Sequence, residues 1–307
     1  MKTLSGDPVI PFAFGTMQFG GNADERASAE MFEACRQAGL NHFDTAHGYN
    51  GGASEKILGR LAAPARDRLF VATKAGYTGG AGRDNILKTF DISRQRLNMD
   101  VVDLLYMHRF DDSTPLMETI DTLVGLQDAG KIRYIGLSNY AAWQVMKAQL
   151  FATGMGSRID IIQPMYNLVK RQAEVEILPM CASEGITAVP YSPLGGGLLT
   201  GKYAAGGSGR LSEDTRYAAR YGLPFMHKAA EGLSALAERI GTDPATLAVA
   251  WVAAHPSKPH PILSARTAAQ LRPSLEGMRF AMDNALYDEI ASLSPTPPPA
   301  TDRIEEA

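Results

Sequence analysis

Asn41-His42-Phe43-Asp44-Thr45-Ala46-His47-Gly48-Tyr49 places an aspartate directly after a short apolar run, with a tyrosine close behind. The arrangement recurs along the chain. Lys74 closes Leu69-Phe70-Val71-Ala72-Thr73, and His108 closes Val101-Val102-Asp103-Leu104-Leu105-Tyr106-Met107. Ser138 and Asn139 close Tyr134-Ile135-Gly136-Leu137, Gln163 closes Ile159-Asp160-Ile161-Ile162, and Tyr191 closes Ile186-Thr187-Ala188-Val189-Pro190. Short apolar runs bounded by polar residues read as buried strands. In a barrel of parallel strands the carboxyl-terminal ends converge on one mouth, so residues distant in sequence can build one site. The pattern therefore predicts an enzyme.

Helical segments separate these runs. Asp24 caps a predicted helix over Glu25–Ala38 that stops at Gly39, and Ser54–Leu61 and Asp84–Leu97 follow. Pro115–Ala129 carries proline in its first turn and ends at Gly130, and Ala141–Ala152 and Arg171–Ser183 continue the alternation. Repeated βα units imply parallel strands with right-handed crossovers. The count favours an α/β fold of the closed (β/α)8 TIM-barrel type over an open doubly wound sheet, with an eighth strand at Pro261–Leu263. Residues 1–293 are expected to form the barrel and 294–307, opening on Ser294-Pro295-Thr296-Pro297-Pro298-Pro299, a solvated tail. Gly195–Gly222 is a long, glycine-rich connection after the seventh strand, and such a length in a compact domain is usually functional or mobile.

Composition agrees. With 307 residues, 45% hydrophobic and 21% charged, the chain has ordinary globular make-up. A net charge of -3 gives no electrostatic case for nucleic acid or an anionic membrane. No apolar run reaches membrane-spanning length and no signal-peptide pattern opens the chain, so the expected location is the cytoplasm. Cys35 and Cys181 suggest packing, not a metal site or a disulfide. Trp143 and Trp251 are expected to pack helices against the barrel, and His42 and His47 to be structural or solvent-facing.

The first four strand-end residues carry a chemistry. A phenol titrates near ~10, so Tyr49 holds its proton at neutral pH but is a weak acid unaided. A lysine ammonium beside it, such as Lys74, would favour the phenolate, and Asp44 would keep that lysine charged and aligned. His108 across the pocket could orient a carbonyl oxygen. Together they could protonate a carbonyl that receives hydride, and since none can supply hydride a redox cofactor is required.

At these residues the chain resembles the aldo-keto reductase family, in particular its bacterial branch and the potassium-channel β-subunit-like members. Asn41 to Tyr49 followed by Ser54-Glu55-Lys56-Ile57-Leu58-Gly59 is similar to the amino-terminal signature, and Asp44, Tyr49, Lys74 and His108 match the catalytic tetrad in order. The resemblance implies that Tyr49 is the general acid, that Ser138, Asn139 and Gln163 hold the nicotinamide carboxamide, and that Tyr191 stacks on its ring. It also places Thr16, Met17 and Asp44 beside the cofactor. Tyr191-Ser192-Pro193-Leu194-Gly195-Gly196-Gly197-Leu198-Leu199-Thr200-Gly201-Lys202 resembles the family's pyrophosphate loop, with glycines admitting backbone N–H groups to phosphate and Lys202 adding charge. Gly196 to Lys202 also nearly fits a P-loop, until Tyr203 stands where serine or threonine should hold magnesium.

Ser264, Arg266 and Gln270 are similar to the segment that grips the adenosine end, and the planar fork of Arg266 suits a 2′-phosphate, which favours NADPH with NADH also admissible. Leu263-Ser264 replaces a common proline-glycine, and Ser274 replaces a common adenine-contacting asparagine. Met17, Phe19, Tyr49, Tyr77, His108, Arg109 and Tyr166 are the candidate substrate wall, partly aromatic, for an aldehyde, ketone or sugar or for the corresponding alcohol. Arg210, Arg216 and Arg220 in the long connection are candidate phosphate contacts, although exposed loop arginines more often do nothing specific. The partner is thus a small molecule, with the chain a monomer or small homo-oligomer. A buried structural Asp44–Lys74 pair, a metal-dependent hydrolase lacking any His-x-His strand motif, and a nucleotide-sensing regulatory subunit are the competing readings.

Overall fold

The computed structural model describes residues 1–203, 206–301, 303 and 305. Eight strands are present: β1 (Ala13–Gly15), β2 (His42–Asp44), β3 (Phe70–Ala75), β4 (Val102–Met107), β5 (Ile132–Ser138), β6 (Ile161–Gln163), β7 (Thr187–Ala188) and β8 (Ile262–Leu263). They lie in the order β7-β6-β5-β4-β3-β2-β1-β8, all pairs parallel. The two ends of the sheet meet: His260 N–H donates to Ala188 O at 2.8 Å and Ile262 N–H to Pro190 O at 2.9 Å. This closing seam is thin because Pro190, Pro259 and Pro261 have no N–H to give a ladder. The result is the expected (β/α)8 barrel.

The helices that separate the strands are α1 (Glu25–Gln37), α2 (Ala53–Ala62), α3 (Arg83–Leu97), α4 (Leu116–Asp128), α5 (Ala142–Gly154) and α6 (Ile177–Glu184). Asp24 caps α1 as expected, its carboxylate accepting from Ala27 N–H at 2.8 Å. Two readings need correction. Pro115 stands just before α4, not in its first turn. The segment expected as one helix over Arg171–Ser183 is a 3-10 turn at Gln172–Glu174 followed by α6.

The long connection is also more ordered than its glycines suggest. After a 3-10 segment at Gly195–Thr200 it forms α7 (Arg210–Glu213) and α8 (Thr215–Tyr221); residues 204 and 205 lie outside the described residues. Two helices for which the sequence reading gives no expectation, α9 (Pro224–Ile240) and α10 (Pro244–Ala253), then precede β8, with α11 (Ala268–Gly277) and α12 (Asn284–Ala291) beyond it. Of the tail, Ser294 is fastened by Arg171, whose Nη1 donates to Ala291 O and Ser294 O at 3.0 and 3.3 Å; residues 302, 304, 306 and 307 lie outside the described residues.

Alternation along the strands divides the core in two. Phe70 and Ala72 of β3, Leu104 and Tyr106 of β4 and Ile161 of β6 fill the barrel lumen, while Val71, Leu105, Met107 and Ile162 face the helices. The same parity carries forward to the strand ends, so Lys74, Ser138 and Gln163 continue the inward rows of β3, β5 and β6. Gly136 makes room in that lumen: a Cβ there would stand 2.4 Å from the Tyr106 ring.

Candidate active site

The strand ends meet at one mouth. Lys74 Nζ donates to Asp44 Oδ1 and, at 2.7 Å, to Thr45 O. Gln163 Nε2 donates to the other Asp44 oxygen at 3.0 Å, and Ser138 Oγ donates to Gln163 O at 3.0 Å. Asn139, held at a φ of 58°, donates from Nδ2 to His108 O at 2.9 Å and to Ser138 Oγ at 3.1 Å. Tyr191 completes the chain, its hydroxyl donating to Asn139 Oδ1 at 2.7 Å. Six residues from five strand ends thus form one hydrogen-bonded series from Lys74 through Asp44 to Tyr191.

Tyr49 stands over this series on the turn after β2. Its ring lies 5.2 Å from Lys74 Nζ and edge-on to the His108 ring, centroids 5.8 Å apart. Tyr77 also packs on His108, centroids 4.9 Å apart, and the guanidinium of Arg109 covers Tyr77 at 5.1 Å. Tyr49, His108, Tyr77 and Arg109 therefore make one wall of the mouth.

Burial sets the electrostatics. It raises the Tyr49 phenol above its ordinary value, and the pull of the Lys74 charge is the smaller effect. The expectation that Lys74 lowers this pKa on balance is corrected: burial makes the phenol hold its proton more firmly than in water. Burial also opposes the Lys74 charge, but the Asp44 carboxylate and Tyr49 outweigh it, so the ammonium titrates above the usual lysine value. For His108, burial first, then Lys74 and Arg109, lower the ring to about 3, so the imidazole is neutral at physiological pH.

The cofactor candidates occupy one arc beside this mouth. Ser192 at φ 62° begins a turn in which Gly195, Gly196 and Gly197 are also left-handed, at 56°, 66° and 99°. A Cβ on Gly196 would stand 2.8 Å from the Tyr217 ring, so only glycine lets α8 close against the turn formed with Pro193 and Leu194. Lys202 stacks its ammonium 4.9 Å over Tyr203. Ser264 Oγ is buried without a hydrogen-bond partner. Arg266 donates its N–H to Gln270 Oε1 at 3.2 Å while its guanidinium pairs with Glu213 of α7 at 2.7 Å. A left-handed turn, an unpartnered buried hydroxyl and a guanidinium fork are a donor set that fits a dinucleotide with phosphate groups. The aromatic Tyr191 fits a planar ring.

The remaining expectations divide. Phe19 is fully buried against Phe14, centroids 5.7 Å apart, and is core, not pocket wall. Tyr166 is likewise buried, donating to Glu174 Oε1 at 2.7 Å and packing on Trp251. Thr16 is buried, its hydroxyl engaged with Asp44 O at 3.1 Å and Ser54 Oγ at 2.8 Å, whereas Met17 is half-buried. Trp143 is 62% exposed and packs no helix on the barrel, whereas Trp251 is buried. His42 lies wholly inside the lumen. Ser274, at the position compared with an adenine contact, is buried with its hydroxyl unpartnered. Arg210 and Arg220 flank the Tyr217 ring at 5.3 and 5.2 Å, and Arg216 pairs with Asp214. Glu213 and Tyr217 were unmarked in the sequence because their importance comes from the fold of the long connection.

The fold and this strand-end arrangement define an oxidoreductase barrel, and comparison with known proteins places it. A model of the aldo/keto reductase family matches residues 11–295, and the chain belongs to that family. It is 32% identical to the uncharacterized oxidoreductase YrpG of Bacillus subtilis over 95% of the chain and 94% of that protein. It is also 32% identical to a probable voltage-gated potassium channel subunit beta of Arabidopsis thaliana, over 89% of each. Aldo-keto reductase yakc [NADP(+)] of Schizosaccharomyces pombe is 30% identical over 94% of the chain and 89% of that protein. The family's members are oxidoreductases that use nicotinamide cofactors on small carbonyl compounds. Among the described residues no group of His, Cys, Asp and Glu could hold a metal ion, and no helix is long and apolar enough to cross a membrane.

Proposed function

We propose that the protein is an NADP-dependent carbonyl reductase in which Tyr49 delivers the proton. The observation that carries this reading is the gathering of Tyr49, Lys74, Asp44 and His108 at one mouth, three of them joined through Lys74. When bound, the dihydronicotinamide supplies hydride for the carbonyl carbon of an aldehyde, ketone or sugar. Tyr49 gives its proton to the carbonyl oxygen, and Lys74, kept charged by Asp44, stabilises the phenolate left behind. Neutral His108 orients the oxygen by hydrogen bonding and, with Tyr77 and Arg109, shapes the substrate wall. The same residues serve alcohol oxidation, with Tyr49 as the base.

Ser138, Asn139 and Gln163 are the candidate carboxamide contacts and Tyr191 the ring contact. The turn from Ser192 to Gly197 and Lys202 are assigned to pyrophosphate, and Ser264, Arg266 and Gln270 to the adenosine end. NADP preference rests on the Arg266 fork and on the NADP(+) in the name of the Schizosaccharomyces pombe relative. Fluorescence titration with NADPH and NADH, then absorbance at the nicotinamide band against aldehydes, ketones and sugars, tests the proposal. Tight NADPH binding with turnover supports it; absence of binding sinks the cofactor assignment. A second reading, a nucleotide-sensing subunit, is favoured by the named channel-subunit relative, and binding without turnover across the panel would support it instead.

A further inference from the structure

Behind Tyr49 lies an ion pair, a half-buried arginine on a buried carboxylate, that has no part in the chemistry just described. Asn50, Gly51 and Gly52, which follow Tyr49, have φ of 50°, 62° and 94°. Successive left-handed residues persist only where their surroundings fix them. Two clamps do so here. Asn50 Nδ2 donates to Met17 O and Phe19 O, both at 2.8 Å, which ties the turn to the segment after β1. From the opposite side Arg96, at the end of α3, lies directly against Gly52, where a Cβ would stand 2.3 Å from its Cζ.

Arg96 Nη1 donates to His47 O at 2.9 Å and to Glu55 Oε2 at 3.2 Å. Glu55, fully buried on α2, accepts with its other oxygen from Thr73 Oγ1 at 2.7 Å. Thr73 is the strand neighbour of Lys74, and His47 N–H donates to Lys74 O at 3.1 Å. One carboxylate therefore connects the strand bearing Lys74 to the guanidinium beneath the turn bearing Tyr49. Buried ion pairs give little net stability relative to apolar packing, so their value lies in the geometry they impose. A planar guanidinium fork imposes it better than a flexible ammonium.

We infer that Arg96, oriented by Glu55, is a positioning residue that holds Tyr49 in place against Lys74 and His108. The inference rests on Tyr49 being the proton donor. Arg96 touches neither reacting atoms nor the candidate cofactor residues; it acts through the backbone of the turn. Without it only the Asn50 clamp holds the turn, the Gly51–Gly52 backbone can relax and shift the phenol from its partners, and a misplacement of about 1 Å at a reacting group can cost about 100-fold in rate.

The test compares the full-length wild-type protein with Arg96→Gln, Arg96→Lys, Glu55→Gln and Tyr49→Phe. For each, kcat, KM, the NADPH dissociation constant and the isotope effect with NADPH deuterated at the transferred position are measured. Arg96→Gln is expected to lower kcat by roughly 30- to 100-fold with KM and NADPH affinity within about twofold, a signature of lost transition-state placement. Its isotope effect on kcat should rise as the chemical step becomes limiting, and Arg96→Lys should recover part of the rate. Glu55→Gln, which keeps the bond to Thr73, should show the same signature more weakly and serves if Arg96→Gln does not fold. Wild-type kcat and isotope effect in Arg96→Gln or Glu55→Gln, beside an inactive Tyr49→Phe, would overturn the positioning role alone. Full activity in Tyr49→Phe would instead remove the proton-donor assignment on which it stands.

Discussion

Tyr49 and His108 are each held in one protonation state by enclosure. Burial outweighs the Lys74 charge at the phenol and keeps it an acid, and burial with two neighbouring cations lowers His108 to about 3. A folded-state pKa this low leaves the imidazole neutral throughout the working range, so the ring can orient a carbonyl without titrating. Reduction should accordingly show no inflection from His108 between about pH 5 and pH 8, and should fall only on the alkaline side as the acid loses its proton. The pH profile of kcat/KM for the wild type and for His108→Asn checks this; a midpoint near pH 6 that vanishes in the variant would show that the ring ionises. That Asp44, Lys74 and His108 meet was legible in the sequence because each closes an apolar run at a strand end, with Tyr49 on the turn just behind Asp44. Phe19 and Tyr166 were misread for the same reason: following a strand says nothing of where a side chain points, and both rings turn into apolar packing.

The long connection after β7 matters as an element. α7 brings Glu213 against Arg266 and so covers the fork assigned to the 2′-phosphate. Both side chains are partly exposed, so the pair is worth little and should yield to a phosphate. Glu213→Gln is expected to tighten NADPH about threefold and leave NADH unchanged, while Arg266→Ala weakens NADPH far more than NADH. Fluorescence titration reads both, and equal losses for the two nucleotides in Arg266→Ala would take Arg266 off the 2′-phosphate. The contact between α2 and α3 gives an independent check. A Cβ on Gly59 would stand 2.4 Å from Leu97 O, a backbone atom that cannot swing aside. Gly59→Ala should cost about 1–3 kcal/mol in denaturant unfolding, and a cost near zero would mean the helices separate freely.

Element boundaries were legible where capping chemistry marked them, as at Asp24. They were not where burial erases periodicity: α10 is buried from Ala245 to Val252, and a helix covered on all sides has no polar stripe to read. Strand β1 was legible only by its place in the count, since Ala13–Gly15 is too short to show alternation.

At the scale of the whole molecule, the barrel was legible from its alternation of strand and helix, but what fills the lumen was not. His42 stands there with both ring nitrogens unpartnered, and burial first, then His260 and Lys74, lower it to about 3. An unfolded chain binds a proton at such a ring near pH 6.5, so between these values the unfolded state holds more protons and stability falls as the pH falls. His42 alone should remove about 2 kcal/mol between pH 7 and pH 5. Denaturant unfolding of His42→Leu at both values should show a pH loss smaller by about that amount, and an unchanged loss would place the acid sensitivity elsewhere.

The central claim is that Tyr49 supplies the proton for hydride reduction of a carbonyl, and it is tested most directly by following NADPH oxidation with an aromatic aldehyde in wild type and Tyr49→Phe. The account predicts steady NADPH consumption by the wild type, and in the variant unchanged NADPH affinity with turnover lower by about 100- to 10,000-fold. Wild-type turnover in Tyr49→Phe would contradict it.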